Sequence, residues 1–358
     1  MAKSSQVSPT SIRGGMTLVE LLVVVVILGL LSVVVLPNLA GTLDSRRIRE
    51  AARGVSSFVA RAQSRSIGAS DPRGLILQPT AADPDVAVDM FFADVPQAYA
   101  GQNPQTRARI TYDDPNSPTI ASLVYLGDAN NETYARLSTT DICRAGDSIQ
   151  FDSRETHYRF TPPDQVTMWL ENNQTFRNTP WPRSGQGGVP FKIQRQPARA
   201  STGLLQLQRG AAIDLAWSTL GTRVLSNSLP AAELGAGIDG RIVTERSEPL
   251  CLLFDGSGKP RELYHSGGLR TVVAEPLFLL IGLAELCGNP SVALSAAEVA
   301  ATDGERRGAN WQYADAAWLC VDNNTGVVKF GPVDARATTV LESQRYIRMT
   351  IGLGVTER

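Results

Sequence analysis

The chain is poor in the residues that metal and redox chemistry use. Its 358 residues hold four Cys and two His. No two cysteines form a C-x-x-C pair, which argues against a zinc site. Charge of either sign is nearly balanced at −1, and aromatics make up 6%. The balance is uneven along the chain. Residues 1–70 carry eight Lys/Arg against three acids, which leaves the remainder near −6. A general polyanion-binding surface on that remainder is therefore not expected, and nucleic acid ranks low among the partners. Cys143, Cys251, Cys287 and Cys320 are widely spaced. In an exported protein an even count of this kind permits one or two disulfides, with buried free thiols the equal alternative.

Catalytic motifs are also missing. "GSGKP" at 256–260 has Leu253 where a P-loop needs its first Gly and Pro260 where it needs Ser/Thr, so it reads as a turn. "GDS" at 146–148 is not a G-x-S-x-G elbow. "DANNE" at 128–132 starts like a calcium loop, but Thr133 replaces the sixth-position Gly and Thr139 the closing Glu. His157 and His265 have acids and hydroxyls near them in sequence, Asp152 and Ser266 among them, yet no motif joins them. No catalytic residue, cofactor or metal is expected, and the chain reads as a non-enzyme.

What the sequence does have is one long apolar run, "RGGMTLVELLVVVVILGLLSVVVLP" at 13–37. Met16 to Leu36 is twenty-one residues, which as a helix reaches about 31 Å against about 30 Å of bilayer hydrocarbon. A secretory signal peptide fits poorly, because the run is long and "PNLAGTLD" behind it is a poor A-x-A site. A plain anchor explains the length and leaves Glu20 unexplained. A carboxylate at the centre of a spanning helix costs roughly 2.5–3.5 kcal/mol on insertion scales. Here it lies about one turn inside the run, where it can also snorkel to the headgroups. A cut between Gly15 and Met16 accounts for both the Gly pair and the acid. It frees an α-amine, cationic near neutral pH, one turn from Glu20. That cation on one subunit then meets Glu20 on another when helices stack, and the pair sets their stagger.

These residues, Arg13, Gly15, Met16, Thr17, Leu18, Val19, Glu20 and Pro37, resemble the N-terminus of type IV prepilins and type II secretion pseudopilins. The family pattern is a basic leader ending in Gly, a hydrophobic residue, Thr, two hydrophobics, Glu, an apolar run and a distal Pro. Met16 departs from the commonest Phe. The resemblance covers about the first tenth of the chain. It implies cleavage after Gly15 by prepilin peptidase, N-methylation of Met16, filament assembly through Glu20, and single-pass insertion in the inner membrane. The N-terminus would be cytoplasmic before cleavage and the head periplasmic or extracellular. Partners would be the peptidase, other pilin or pseudopilin subunits, inner-membrane lipid and secreted cargo. Arg46, Arg47 and Arg49 behind the run oppose this orientation on a positive-inside count. "VSSFVARAQSRSIGASDPRGLIL" is similar to the end of the helix in GspH/FimT-type minor pilins, through Ala60, Arg61 and Ser64, with Ser66 departing.

Pro37 is expected to kink the helix. Beyond it, Leu39, Leu43, Ile48, Ala51, Val55, Phe58 and Ala62 recur at helical spacing, with arginines on the other faces. "SDPRG" at 70–74 ends the pattern. After residue 75, β-branched and aromatic runs alternate with turn signals, as in antiparallel sheet. Residues 334–351 read as a C-terminal helix. The expected fold is α+β: a long N-terminal transmembrane and amphipathic helix, pilin-like, packed on a large antiparallel β-rich head. The segments are a leader (1–15), a transmembrane half (16–37), an amphipathic continuation (38–70) and the head (71–358), with an insertion at about 80–190. The function implied is a minor pilin or pseudopilin in a type IV pilus-like or type II secretion filament. The alternatives are a DNA-uptake minor pilin, which needs a basic patch on the head, and a membrane-tethered periplasmic enzyme.

Overall fold

The computed structural model describes residues 18–113, 120–127, 129–140, 142–152, 156–167, 185–225, 238, 240–242, 249–265, 268–289, 293–302 and 308–353, the side chains of 31–42 and 240 excepted. Two compact units emerge, 1–46 and 47–358. Helix α1 spans Leu18–Ser66 and contributes to both. In the first unit its apolar residues from Leu18 to Leu30 are all exposed, between 42% and 80%.

Three expectations are corrected here. Strand outweighs helix, 39% to 26%, and is organised in two antiparallel sheets, so the chain is mostly β rather than a pilin-like α+β fold. Among the described residues no helix is long and apolar enough to cross a membrane. The transmembrane helix and the single-pass inner-membrane placement fall with that finding.

In the second unit, α1 turns one stripe inward. Ile48, Ala51, Ala52, Val55, Phe58, Val59 and Ala62 are all at most 3% exposed. Their spacing of three and four residues puts them on one side of the helix. They share a core with Leu75, Leu77, Met90 and Phe92. The Phe58 and Phe92 rings stack at 4.4 Å, and the Arg65 guanidinium lies over Phe92 while pairing with Asp94 at 3.3 Å. The helix ends where Gly68, at φ +74°, turns the chain and donates its N–H to the Gly256 carbonyl.

Strands β1 (Arg73–Pro79) and β2 (Val86–Asp94) open the larger sheet. The chain then builds a second, six-stranded sheet: β3 (Arg107–Tyr112), β4 (Ile120–Leu126), β5 (Asp147–Phe151), β6 (His157–Thr161), β7 (Gln165–Thr167) and β8 (Phe191–Gln194). The short helix α2 (Glu132–Thr139) follows β4. The order is β3-β4-β7-β6-β5-β8. Ala108 of β3 exchanges both backbone hydrogen bonds with Val189, just before β8, at 2.8 and 2.9 Å. The two edges therefore meet and the sheet closes into a small barrel, which removes its free edges. Inward residues alternate with outward ones along each strand, and the interior has its own core of Ile110, Leu123, Tyr125, Phe151, Phe160 and Ile193.

Strand β9 (Ala198–Gln206) returns to the larger sheet and pairs with β2, Asp94 opposite Ala198. The barrel is thus inserted between two residues that are ladder neighbours. The larger sheet continues with β10 (Ala211–Leu220), β11 (Arg223–Val224), β12 (Gly240–Arg241), β13 (Leu250–Phe254), β14 (Pro260–His265), β15 (Leu269–Val272), β16 (Leu277–Leu283), β17 (Ala317–Val321) and β18 (Val328–Pro332). Its main order is β15-β14-β13-β1-β2-β10-β16-β17-β18. Strands β10, β13, β16 and β17 are buried along their whole length. One face carries Leu75, Leu77 and Leu252 toward α1; the alternate residues Ile76, Ala93, Cys251 and Leu253 form a separate cluster on the other face. Helix α3 (Ala296–Thr302) precedes β17, and α4 (Val340–Ser343) and α5 (Arg345–Thr350) follow β18. Thr339 starts α4 with a capping box to Glu342.

Candidate functional site

Gly15 and Met16, the expected cleavage and methylation positions, lie outside the described residues. Glu20 stands in the first turn of α1 and is exposed, surrounded along the helix by Leu18, Val19, Leu21, Leu22, Val23 and Val24. A carboxylate near a helix N-terminus is favoured by the positive end of the helix dipole. Exposed apolar side chains in this number mark an interaction surface. The helical assignment runs through Pro37 without interruption.

All four cysteines are free and buried. Each sits in a different hydrophobic cluster: Cys143 in the barrel, Cys251 beside Ile76, Cys287 beside Ala212, and Cys320 in the main core. The free-thiol alternative describes them. Burial raises every one of these thiols, Cys143 and Cys320 to about 12. They are held as inert apolar groups.

The two histidines lie on different strands, His157 opening β6 and His265 closing β14. His265 Nε2 lies 3.0 Å from Thr271 Oγ1, and its Nδ1 is buried without a partner. Burial, helped by Arg223, pushes it down to about 4. His157 is lowered by burial and then by Arg270, with Glu262 opposing. Its Nδ1 is also buried and unpartnered. Asp152 holds a positive φ of 52° in the turn that follows β5.

One polar cluster went unread in the sequence. Asp214, in the middle of β10, is completely buried. The Asn310 side chain donates to its Oδ2 at 2.9 Å and to the Leu283 carbonyl at 3.1 Å, while Asn310 Oδ1 accepts from the Leu283 amide at 2.9 Å. Ser218 Oγ donates to the Asp214 carbonyl and accepts from the Leu280 amide at 3.0 Å. Burial pushes the Asp214 carboxyl up to about 7, the nearby Asp85 adds to this, and Asn310 and the backbone of Trp217 and Gly288 oppose it. The group joins β10, β16 and the turn at Asn310–Gln312 where the β10–β16 register shifts. Its work is structural: it satisfies backbone groups that the irregular ladder leaves open. The lone acid in "AAIDLAW" was the available signal.

A second unread cluster lies on the β14–β15 hairpin. Glu262 contacts Arg261 at 3.4 Å and Arg270 at 3.9 Å. Burial raises the Tyr264 phenol, Glu262 adds to this, and Arg270 opposes it. Arg261, Glu262 and Tyr264 share β14, and Arg270 reaches them from β15. Among the described residues no group of three or more His, Cys, Asp or Glu is arranged to hold a metal. The arrangement that stands out for function is therefore the exposed apolar start of α1 around Glu20. No family model, no curated protein and no solved structure matches the chain.

Proposed function

We propose that the chain is a structural subunit of a filament of the type IV pilus or type II secretion kind, a minor pilin or pseudopilin, assembled through its N-terminal helix. The observation that carries this reading is the exposed apolar stretch Leu18–Leu30 with a single acid, Glu20, in its first turn. Cleavage between Gly15 and Met16 by prepilin peptidase would place a new ammonium group one turn from that acid. Packing the stretch against a neighbouring helix removes apolar surface from water, worth roughly 25 cal/mol per Å². An ammonium from one subunit beside Glu20 of the next then fixes the axial offset, because sliding leaves a desolvated charge unpaired.

Mass spectrometry of the mature protein, made in cells with a working processing enzyme, tests the first step. A chain starting at methylated Met16 is expected. A chain that keeps residues 1–15 overturns the reading. Glu20→Ala tests the second step: the variant should be processed normally yet be lost from the assembled fraction, and full incorporation would remove Glu20 from the mechanism.

A further inference from the structure

The barrel is attached to the rest of its unit through a neck of two paired strands, since the chain leaves at Asp94 and returns at Ala198 opposite it. Beside the neck it rests on the β14–β15 hairpin. A Cβ on Gly268 would lie 2.5 Å from the Gly146 carbonyl and 2.7 Å from the Gln196 side chain, so hairpin tip and barrel rim are in close contact. Gln196 is itself held to the barrel, donating its side chain to the Ala145 carbonyl at 2.9 Å and its amide to Asp147 at 3.0 Å.

His157 stands on the outward side of β6. The charged groups that face it are Arg270 of β15 and Glu262 of β14. Glu262 and Tyr264 alternate with the core residue Leu263, so they lie on the face of the larger sheet turned away from α1. Glu262 is already engaged by Arg261 and Arg270. With Nδ1 buried and unpartnered, the neutral ring fits this site and an imidazolium does not. A proton on His157 would add a second cation beside Arg270, with Glu262 already paired to that arginine.

We propose that the barrel is a hinged module whose seating on the β14–β15 hairpin is released by acid, with His157 as the group that takes the proton. The neck keeps the two parts joined, and the barrel's own core keeps it folded while it moves. The device is independent of how the chain assembles.

Pulsed hydrogen exchange on the full-length protein, equilibrated at neutral pH and at about pH 5, reads the release. Protection of β13–β15 should fall by about tenfold, the factor that one pH unit of linked protonation supplies. Protection within β16, β17 and the barrel strands should hold. His157→Gln should abolish the fall. Arg270→Gln, which removes the opposing cation, should diminish it, and this variant carries the test if His157→Gln does not fold. Protection that ignores pH overturns the proposal. So does an undiminished fall in either variant, or a loss spread evenly over β16 and β17, which would be general acid unfolding through His265.

Discussion

The larger sheet and the barrel solve the same problem in opposite ways. Central strands of the larger sheet are covered on both faces, so β13, β16 and β17 read as unbroken apolar runs, and β10 is interrupted only by the buried Asp214, Ser218 and Thr219. Barrel strands are wet on one side and alternate, as in "RARITY" of β3, where Ala108 and Ile110 point in and Arg107 and Arg109 point out. The difference shows in how each treats charge. The barrel places its Arg and Lys side chains outward. The larger sheet has no outside for Asp214, which is tied down by Asn310 and raised toward neutrality instead.

The strongest way to break this comparison is a matched pair of core truncations. Phe278→Ala in β16 and Phe160→Ala in β6 remove fully buried rings and should each cost about 3–5 kcal/mol. Hydrogen exchange should localise the Phe160 effect to β3–β8 and the Phe278 effect to the larger sheet. Equal spreading of both would mean one cooperative core rather than two.

The buried acid sharpens the contrast next. The folded-state value of Asp214 lies above its ordinary 3.8, at about 7. Its contribution is therefore fully present below the ordinary value and is lost as pH rises through about 7. The slope is about 1.4 kcal/mol per pH unit across that interval. Asp214→Asn keeps an acceptor for Asn310 and should flatten the dependence in denaturant titrations. A slope unchanged by that substitution would remove Asp214 as its source. His265 acts in the opposite direction. Its value is depressed to about 4, so its contribution is lost as pH falls from about 6.5 through that value.

The smallest effect should come from the polar surface. Thr339→Ala removes the hydroxyl that accepts the Glu342 amide at 3.2 Å and should cost about 1 kcal/mol in thermal or denaturant unfolding. A loss several times larger would show that α4 is part of the core of the larger sheet rather than a cap on it.

What the sequence announced follows the same division. Runs such as Leu250–Phe254, Leu277–Ile281 and Ala317–Val321 are readable as strands, because burial on both faces demands long apolar stretches. The short helix at Ala296–Thr302 and the turn "DNNTG" between β17 and β18 are readable for local reasons, residue propensity and the Asp322 side chain. Strands β3, β5 and β14 carry no long apolar run. Their outward residues are charged or small, and β14 opens on Pro260, which a strand accepts at its first residue. The closure of the barrel by Ala108 and Val189 joins positions far apart in sequence, so no local pattern carries it. The stretch 334–351 resolves into two short helices broken at Gln344, whose buried amide reaches Thr219 of β10 at 3.0 Å. Tertiary bonding overrode the helical pattern there. At the N-terminus the stickiness of Leu18–Leu30 was legible, whereas the expected crossing of a bilayer was not upheld.

Because Asp94 and Ala198 are partners in one ladder, everything between them could be excised and the gap bridged by a tight turn without removing a rung of the host sheet. Such a junction works as a cloning site written in protein: the cargo can be exchanged without redesigning its carrier.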